Sequence, residues 1–159
     1  IFIQQGTYTN WQYTFRGRTA SRRKVSGNLT VDDEGFWNGD RRRYQVGVTL
    51  RPNPGFSIST NYEKNDVALP QGSFQVNLTR VSGAWDISPW ASVSGNVQYD
   101  DNSEIVGLFA RARWILKPGN DLYLVYTHNW QNLELDPLGR DFETLSRGGS
   151  VKLNYTYRL

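Results

Sequence analysis

The chain has 159 residues, no Cys, no Met, one His and a net charge of +3 at pH 7. That length suits one domain with a sizeable buried surface. The missing cysteines exclude disulfide, zinc-thiolate and c-type haem sites, and charges of both signs scattered along the chain argue against a nucleic-acid face or partner. With 21% charged residues and a mean hydropathy of −0.61, no run approaches the roughly 18–20 apolar residues of a membrane helix. Yet 14% of residues are aromatic and 15 are Gly, a combination that fits a helical protein poorly. The chain begins Ile1-Phe2-Ile3 with no basic or signal-like run, so a segment of a longer protein is expected.

Taken in order, apolar residues recur at every second position, the strand period. Trp11, Tyr13 and Phe15 alternate with Gln12, Thr14 and Arg16, and a basic connection over 17–24 follows. Val25, Gly27, Leu29 and Val31 alternate with Ser26, Asn28, Thr30 and Asp32, and residues 32–42 are expected to form a longer acidic loop with Asn38-Gly39-Asp40 at its tip. Tyr44, Val46, Val48 and Leu50 alternate with Arg43, Gln45, Gly47 and Thr49, closed by the turn Arg51-Pro52-Asn53-Pro54-Gly55. Phe56, Ile58, Thr60 and Tyr62 form the next stripe, before a loop over 64–73.

From 74 to 87 the parity changes: Phe74, Val76 and Leu78 give way to Val81, Gly83 and Trp85, which predicts a β-bulge near Thr79–Arg80. After the turn Ile87-Ser88-Pro89-Trp90 come Val93, Gly95, Val97 and Tyr99, then a loop over 100–104. The stripe Val106, Leu108, Ala110, Ala112, Trp114 and Leu116 opposes Arg111 and Arg113, and Lys117-Pro118-Gly119-Asn120 turns the chain. Residues 121–130 are apolar on both sides, with Leu122, Leu124 and Tyr126 taken as the outer set. A loop over 131–143 precedes the last stripe, Val151, Leu153, Tyr155, Tyr157 and Leu159.

The expected fold is therefore all-β: an antiparallel transmembrane β-barrel segment, an up-and-down meander of about nine strands belonging to a larger barrel. Residues 1–159 would be the C-terminal part of that single domain. Strands of roughly 9–11 residues cross a bilayer when tilted, with apolar side chains outward, polar ones inward, and short turns alternating with long loops. Trp11, Trp37, Tyr62, Trp85, Trp90, Tyr99, Trp114, Trp130 and Tyr157 suit two interfacial girdles. The same alternation would serve a soluble β-sandwich with its apolar face inside. The stretch 151–159 resembles the terminal signal read by the barrel-assembly machinery, which usually ends in Phe; here the end is Leu159. It would place the 131–143 loop outside the cell. Bacterial single-chain barrels have an even strand number, so an odd count implies further strands.

No GxSxG, HExxH or P-loop motif occurs, and the lone His128, between Thr127 and Asn129, reads as a rim or girdle residue, so no enzyme is expected. Asp32-Asp33-Glu34, Asp100-Asp101 with Glu104, and Asp136 with Asp141 and Glu143 lack calcium-loop spacing and read as solvated loop charges. No metal or cofactor is expected. The sequons at Asn28, Asn77 and Asn154 fall in strands. By parity the lumen-facing polar set is Arg16, Arg43, Gln45, Glu63, Gln75, Asn77, Gln98, Arg111, Arg113, Lys152, Asn154 and Arg158, with Arg80 dependent on the bulge. The lipid-facing set includes Val46, Val48, Ile58, Val93, Leu153 and Tyr155. Charged side chains are costly against lipid and tolerated in a lumen, where they form a hydrogen-bonded lining or an electrostatic filter. Tyr123 and Val125 on the inner side of 121–130 predict an apolar cover there, a plug or partner segment paired with Arg111 and Arg113.

The run Asn38-Gly-Asp-Arg-Arg-Arg43, with Leu50-Arg-Pro-Asn-Pro54, Asn61-Tyr-Glu-Lys-Asn-Asp-Val67, Leu69-Pro-Gln-Gly-Ser73 and Arg113-Trp-Ile-Leu-Lys-Pro-Gly-Asn-Asp-Leu-Tyr-Leu-Val-Tyr126, resembles one family. It is similar to the C-terminal barrel region of uncharacterised bacterial outer-membrane proteins whose N-terminal part is a family-9-like carbohydrate-binding domain. The resemblance covers most of 38–126. It implies an outer-membrane location, contact with lipid and lipopolysaccharide, and a link to glycan binding or uptake through an upstream domain. It implies no reaction. The functional expectation is a porin-like polar-lumen pore or a membrane scaffold; the competing one is a soluble β-sandwich adhesin or carbohydrate-binding module.

Overall fold

The computed structural model describes residues 7–132 and 141–156. Nine strands form one sheet in chain order: β1 (Gln12–Arg18), β2 (Val25–Phe36), β3 (Gly39–Leu50), β4 (Phe56–Leu69), β5 (Gly72–Ser88), β6 (Ala91–Asp100), β7 (Ile105–Lys117), β8 (Asn120–Asn132) and β9 (Phe142–Asn154). Every neighbouring pair is antiparallel, and no helix occurs among the described residues. The all-β up-and-down meander is therefore the fold, and the sheet is open. Among the described residues β1 pairs only with β2, and β9 only with β8.

In an antiparallel ladder, directly opposed residues share a face. The row Leu29, Val46, Tyr62, Thr79, Tyr99, Val106 and Trp130 runs along one face from β2 to β8. A parallel row, Val25, Leu50, Ile58, Gly83, Gly95, Ala110, Tyr126 and Gly149, lies on the same face. The band of apolar residues is oblique to these rows. The row Gly27, Val48, Thr60, Val81, Val97, Leu108 is apolar or small until β8 and β9, where it ends in His128 and Arg147. Conversely, Phe56, Trp85, Val93, Ala112, Leu124 and Val151 extend the band toward the opposite rim on the later strands.

Exposure differs between the faces. In β6, Val93, Val97 and Tyr99 are exposed while Ser92, Ser94, Asn96 and Gln98 are half-buried. In β3, Val46, Val48 and Leu50 are 43–44% exposed, whereas Arg43, Gln45 and Thr49 are half-buried and Gly47 is buried. On these inner strands the apolar side is the more exposed and the polar side the more shielded.

Three expectations need correction. The 32–42 and 64–73 segments are strand almost throughout, because β2 and β3 pair to Phe36 and Gly39, and β4 and β5 to Leu69 and Gly72. Only Trp37-Asn38 and Pro70-Gln71 remain as turns, so the regular alternation of short and long connections does not hold there. No bulge interrupts β5 near Thr79–Arg80, where pairing with β4 and β6 is continuous; the register shift lies between Asp86 and Ser88. Finally, Asn77 and Gln75 lie opposite Lys64 and Asp66, on the face that carries the apolar band, not with Glu63 and Gln98. The parity change reflects apolar side chains moving to the other face: Phe74, opposite Val67, and Val76 and Leu78 join the polar side near this rim. Val67 is 5% exposed there. Arg158, Tyr157, Leu159 and Asp136 lie outside the described residues.

Candidate functional site

The polar face gathers most of the candidate site residues. Register places Arg16, Arg43, Gln45, Glu63, Gln98, Arg111, Arg113, Lys152 and Asn154 on it, and Val46, Val48, Ile58, Val93 and Leu153 on the other. Arg80, opposite Gln98, joins the polar set. Tyr155 lies just beyond β9 and is 70% exposed.

Across β1–β4 the acids of the polar face are all paired, although Arg41 Nε is buried without a partner. Asp32, only 1% exposed, accepts hydrogen bonds from Thr14 Oγ1 at 2.7 Å and from Arg43 Nε and Nη2 at 2.9 and 2.5 Å. Two donor groups and an ion pair offset the cost of burying that carboxylate. Glu63 accepts from Gln45 at 2.6 Å and from Asn65 at 2.9 Å. Arg41 pairs with Glu34, and its guanidinium carbon lies 5.4 Å from the Phe36 ring centroid. Arg51 donates to buried Ser26 at 2.9 Å. The acids at 32–34 are thus ladder partners, not loop charges: Asp32, Asp33 and Glu34 stand directly opposite Arg43, Arg42 and Arg41. The mirrored triplets on either side of Asn38 were the sequence signal for this hairpin, since cross-strand opposite charges stabilise a register.

Across β5–β9 the polar face is less saturated. Arg80 donates through Nε to Gln98 at 2.9 Å and again through Nη2. Arg113 reaches Asp121 at 3.1 Å and stacks over Tyr123 at 5.8 Å, so both its partners come from β8. The Tyr123 ring, expected to need an external cover, receives one from this guanidinium. Gly107 lies between Gln98 and Asn129 in register. Its missing side chain opens a depression of about 340 Å³ walled by Asn96, Gln98, Phe109 and Asn129.

The other face carries an aromatic cluster at one border of its band. His128 stacks on Trp130 at 3.8 Å, and its ring nitrogens approach the Tyr126 hydroxyl at 2.9 Å and Thr144 Oγ1 at 3.1 Å. His128 is therefore a packed side chain whose hydrogen-bond partners among the described residues are two hydroxyls and no carboxylate. In the β6–β7 turn, Asp101 accepts from the Asn77 backbone N–H at 2.6 Å and from the Asn77 side-chain amide. These bonds hold its carboxyl below the usual carboxylate range. No group of His, Asp or Glu that could hold a metal ion occurs among the described residues.

No family model, curated protein or solved structure matches the chain.

Proposed function

We propose that the chain forms the wall of an outer-membrane β-barrel whose polar interior serves as a solute path or, if closed, as a membrane scaffold. The observation that carries this reading is the inverted exposure of the inner strands β3, β4 and β6, whose apolar side chains are the more exposed and whose polar side chains are mostly half-buried. A soluble sandwich buries its apolar face against a second sheet, whereas a transmembrane barrel presents that face to lipid and turns the polar one to its lumen. The oblique apolar band supports the same reading, as do Tyr62, Tyr99 and Trp130 toward one border and Trp85, Trp90 and Trp114 toward the other. Lipid and lipopolysaccharide would cover the outer face, and the assembly machinery would read the final strand. The family resemblance extends the proposal to glycan binding or uptake by an upstream domain.

The test is residue-specific. Single cysteines replacing Val48, Val93, Gln45 or Gln98 in the full-length protein are labelled with a fluorophore in vesicles containing brominated lipid. Bromine should quench the labels at Val48 and Val93 and spare those at Gln45 and Gln98. No bromine quenching at Val48 and Val93 would reject the barrel, and shielding of those two labels from both bromolipid and aqueous iodide would favour the sandwich adhesin.

A further inference from the structure

We infer that Arg111, Arg113 and Lys152 form an oxyanion station on the lumen wall of β7–β9, in an open, anion-conducting path; this rests on the barrel reading. Arg113, Tyr123 and Lys152 are successive partners across three strands, so Arg113 and Lys152 lie about 10 Å apart at Cα. Arg111 stands two residues along β7, about 7 Å away on the same face. Long basic side chains spaced in this way can converge on one phosphate or carboxylate group above Tyr123 and Val125.

The charges are poorly compensated. Arg111 and Lys152 are exposed, and neither has a hydrogen bond or ion pair among the described residues. Asp121 binds one terminal nitrogen of Arg113, while Arg113 Nε is buried with no partner. The remaining acid toward this rim among the described residues, Asp86, stands two strands from Arg113 across Ser92 and forms no ion pair with it. This contrasts with β1–β4, where Asp32, Glu34 and Glu63 are each engaged. Tyr123 and Val125 between the cations lower the local polarity, which strengthens attraction for an anion and leaves the unpaired cations in want of one. Guanidinium groups offer the forked donors that oxyanions accept.

The full-length protein is reconstituted in planar bilayers, and selectivity is read from the reversal potential in a KCl gradient, with and without inorganic phosphate. The wild type should prefer chloride over potassium, and phosphate should reduce the current. R111Q/K152Q should lower the selectivity ratio about threefold and abolish the phosphate effect. R111K/K152R should keep both, and R42Q, on the opposite face, should change neither. Unchanged selectivity and block in R111Q/K152Q, a cation preference in the wild type, or no conductance at all would overturn the proposal. If the labels at Val48 and Val93 are still quenched by lipid, only the station fails; if they are not, the barrel reading fails with it.

Discussion

Asp32 shows how a single carboxylate can be both buried and unexceptional. Its ligands are supplied by β1 and β3, the two neighbours of its own strand, so it ties three strands together. Removing one partner of such a pair leaves the other without compensation, whereas removing both costs little. Asp32→Ala should therefore destabilise the protein by about 2 kcal/mol, and adding Arg43→Leu should recover most of that loss. Urea unfolding of the full-length protein in vesicles, read as a double-mutant cycle, measures it. A double variant as unstable as the sum of the singles would show that the pair is not coupled. Asp32 was misread as a solvated charge because three acids in a row are commonest in loops; its role depends on which residues oppose it, and that is fixed by pairing. The inward parity of Arg43, Gln45 and Glu63 was legible, since it needs only period-two alternation within one strand.

At the scale of the strand, β5 separates two things that alternation confuses. Alternation reports which positions are apolar, not which way they point. Along β5 the apolar positions change face while the backbone stays in register, so the sequence imitates a bulge where none exists. The cause lies in the surroundings. Val81 and Trp85 belong to the outer band, while Phe74, Val76 and Leu78 belong to the polar side, where Phe74 meets Val67. Strand number, order and antiparallel sense were readable because the turns at Pro52-Asn53-Pro54-Gly55, Pro89 and Pro118-Gly119 punctuate the pattern. Strand ends were not, because the charged tips of β2–β5 continue as ladder beyond the apolar band. Two substitutions discriminate the faces. Val81→Lys, at the middle of the band, should cost about 2–4 kcal/mol in a bilayer, the range for a cation on a lipid face. Leu78→Ser, opposite Glu63 and Asp100, should cost less than about 1.5 kcal/mol. Equilibrium unfolding in lipid vesicles gives both values, and the reverse order would place β5 the other way round.

At the scale of the molecule, the two edges carry the argument. In a meander, strand direction alternates, so β1 and β9, separated by eight steps, an even count that restores direction, point the same way. Closing the sheet by joining them would require a parallel seam in an otherwise antiparallel wall. Both edge strands are exposed along nearly their whole length, and each presents a row of backbone donors and acceptors that finds no neighbour among the described residues. Inside a bilayer such groups must be paired, because no water can replace the missing partner. On the barrel reading proposed above, further strands are therefore expected between β9 and β1. Cysteines replacing Asn129 and Ser146, whose side chains already meet at 2.9 Å across β8 and β9, should cross-link readily in the full-length protein under mild oxidation. Cysteines replacing Arg16 and Lys152, on the same face of β1 and β9, should not, because intervening strands hold them more than one strand spacing of about 4.8 Å apart. Efficient cross-linking of the second pair would mean that nine strands close on themselves, and the larger barrel would have to be abandoned.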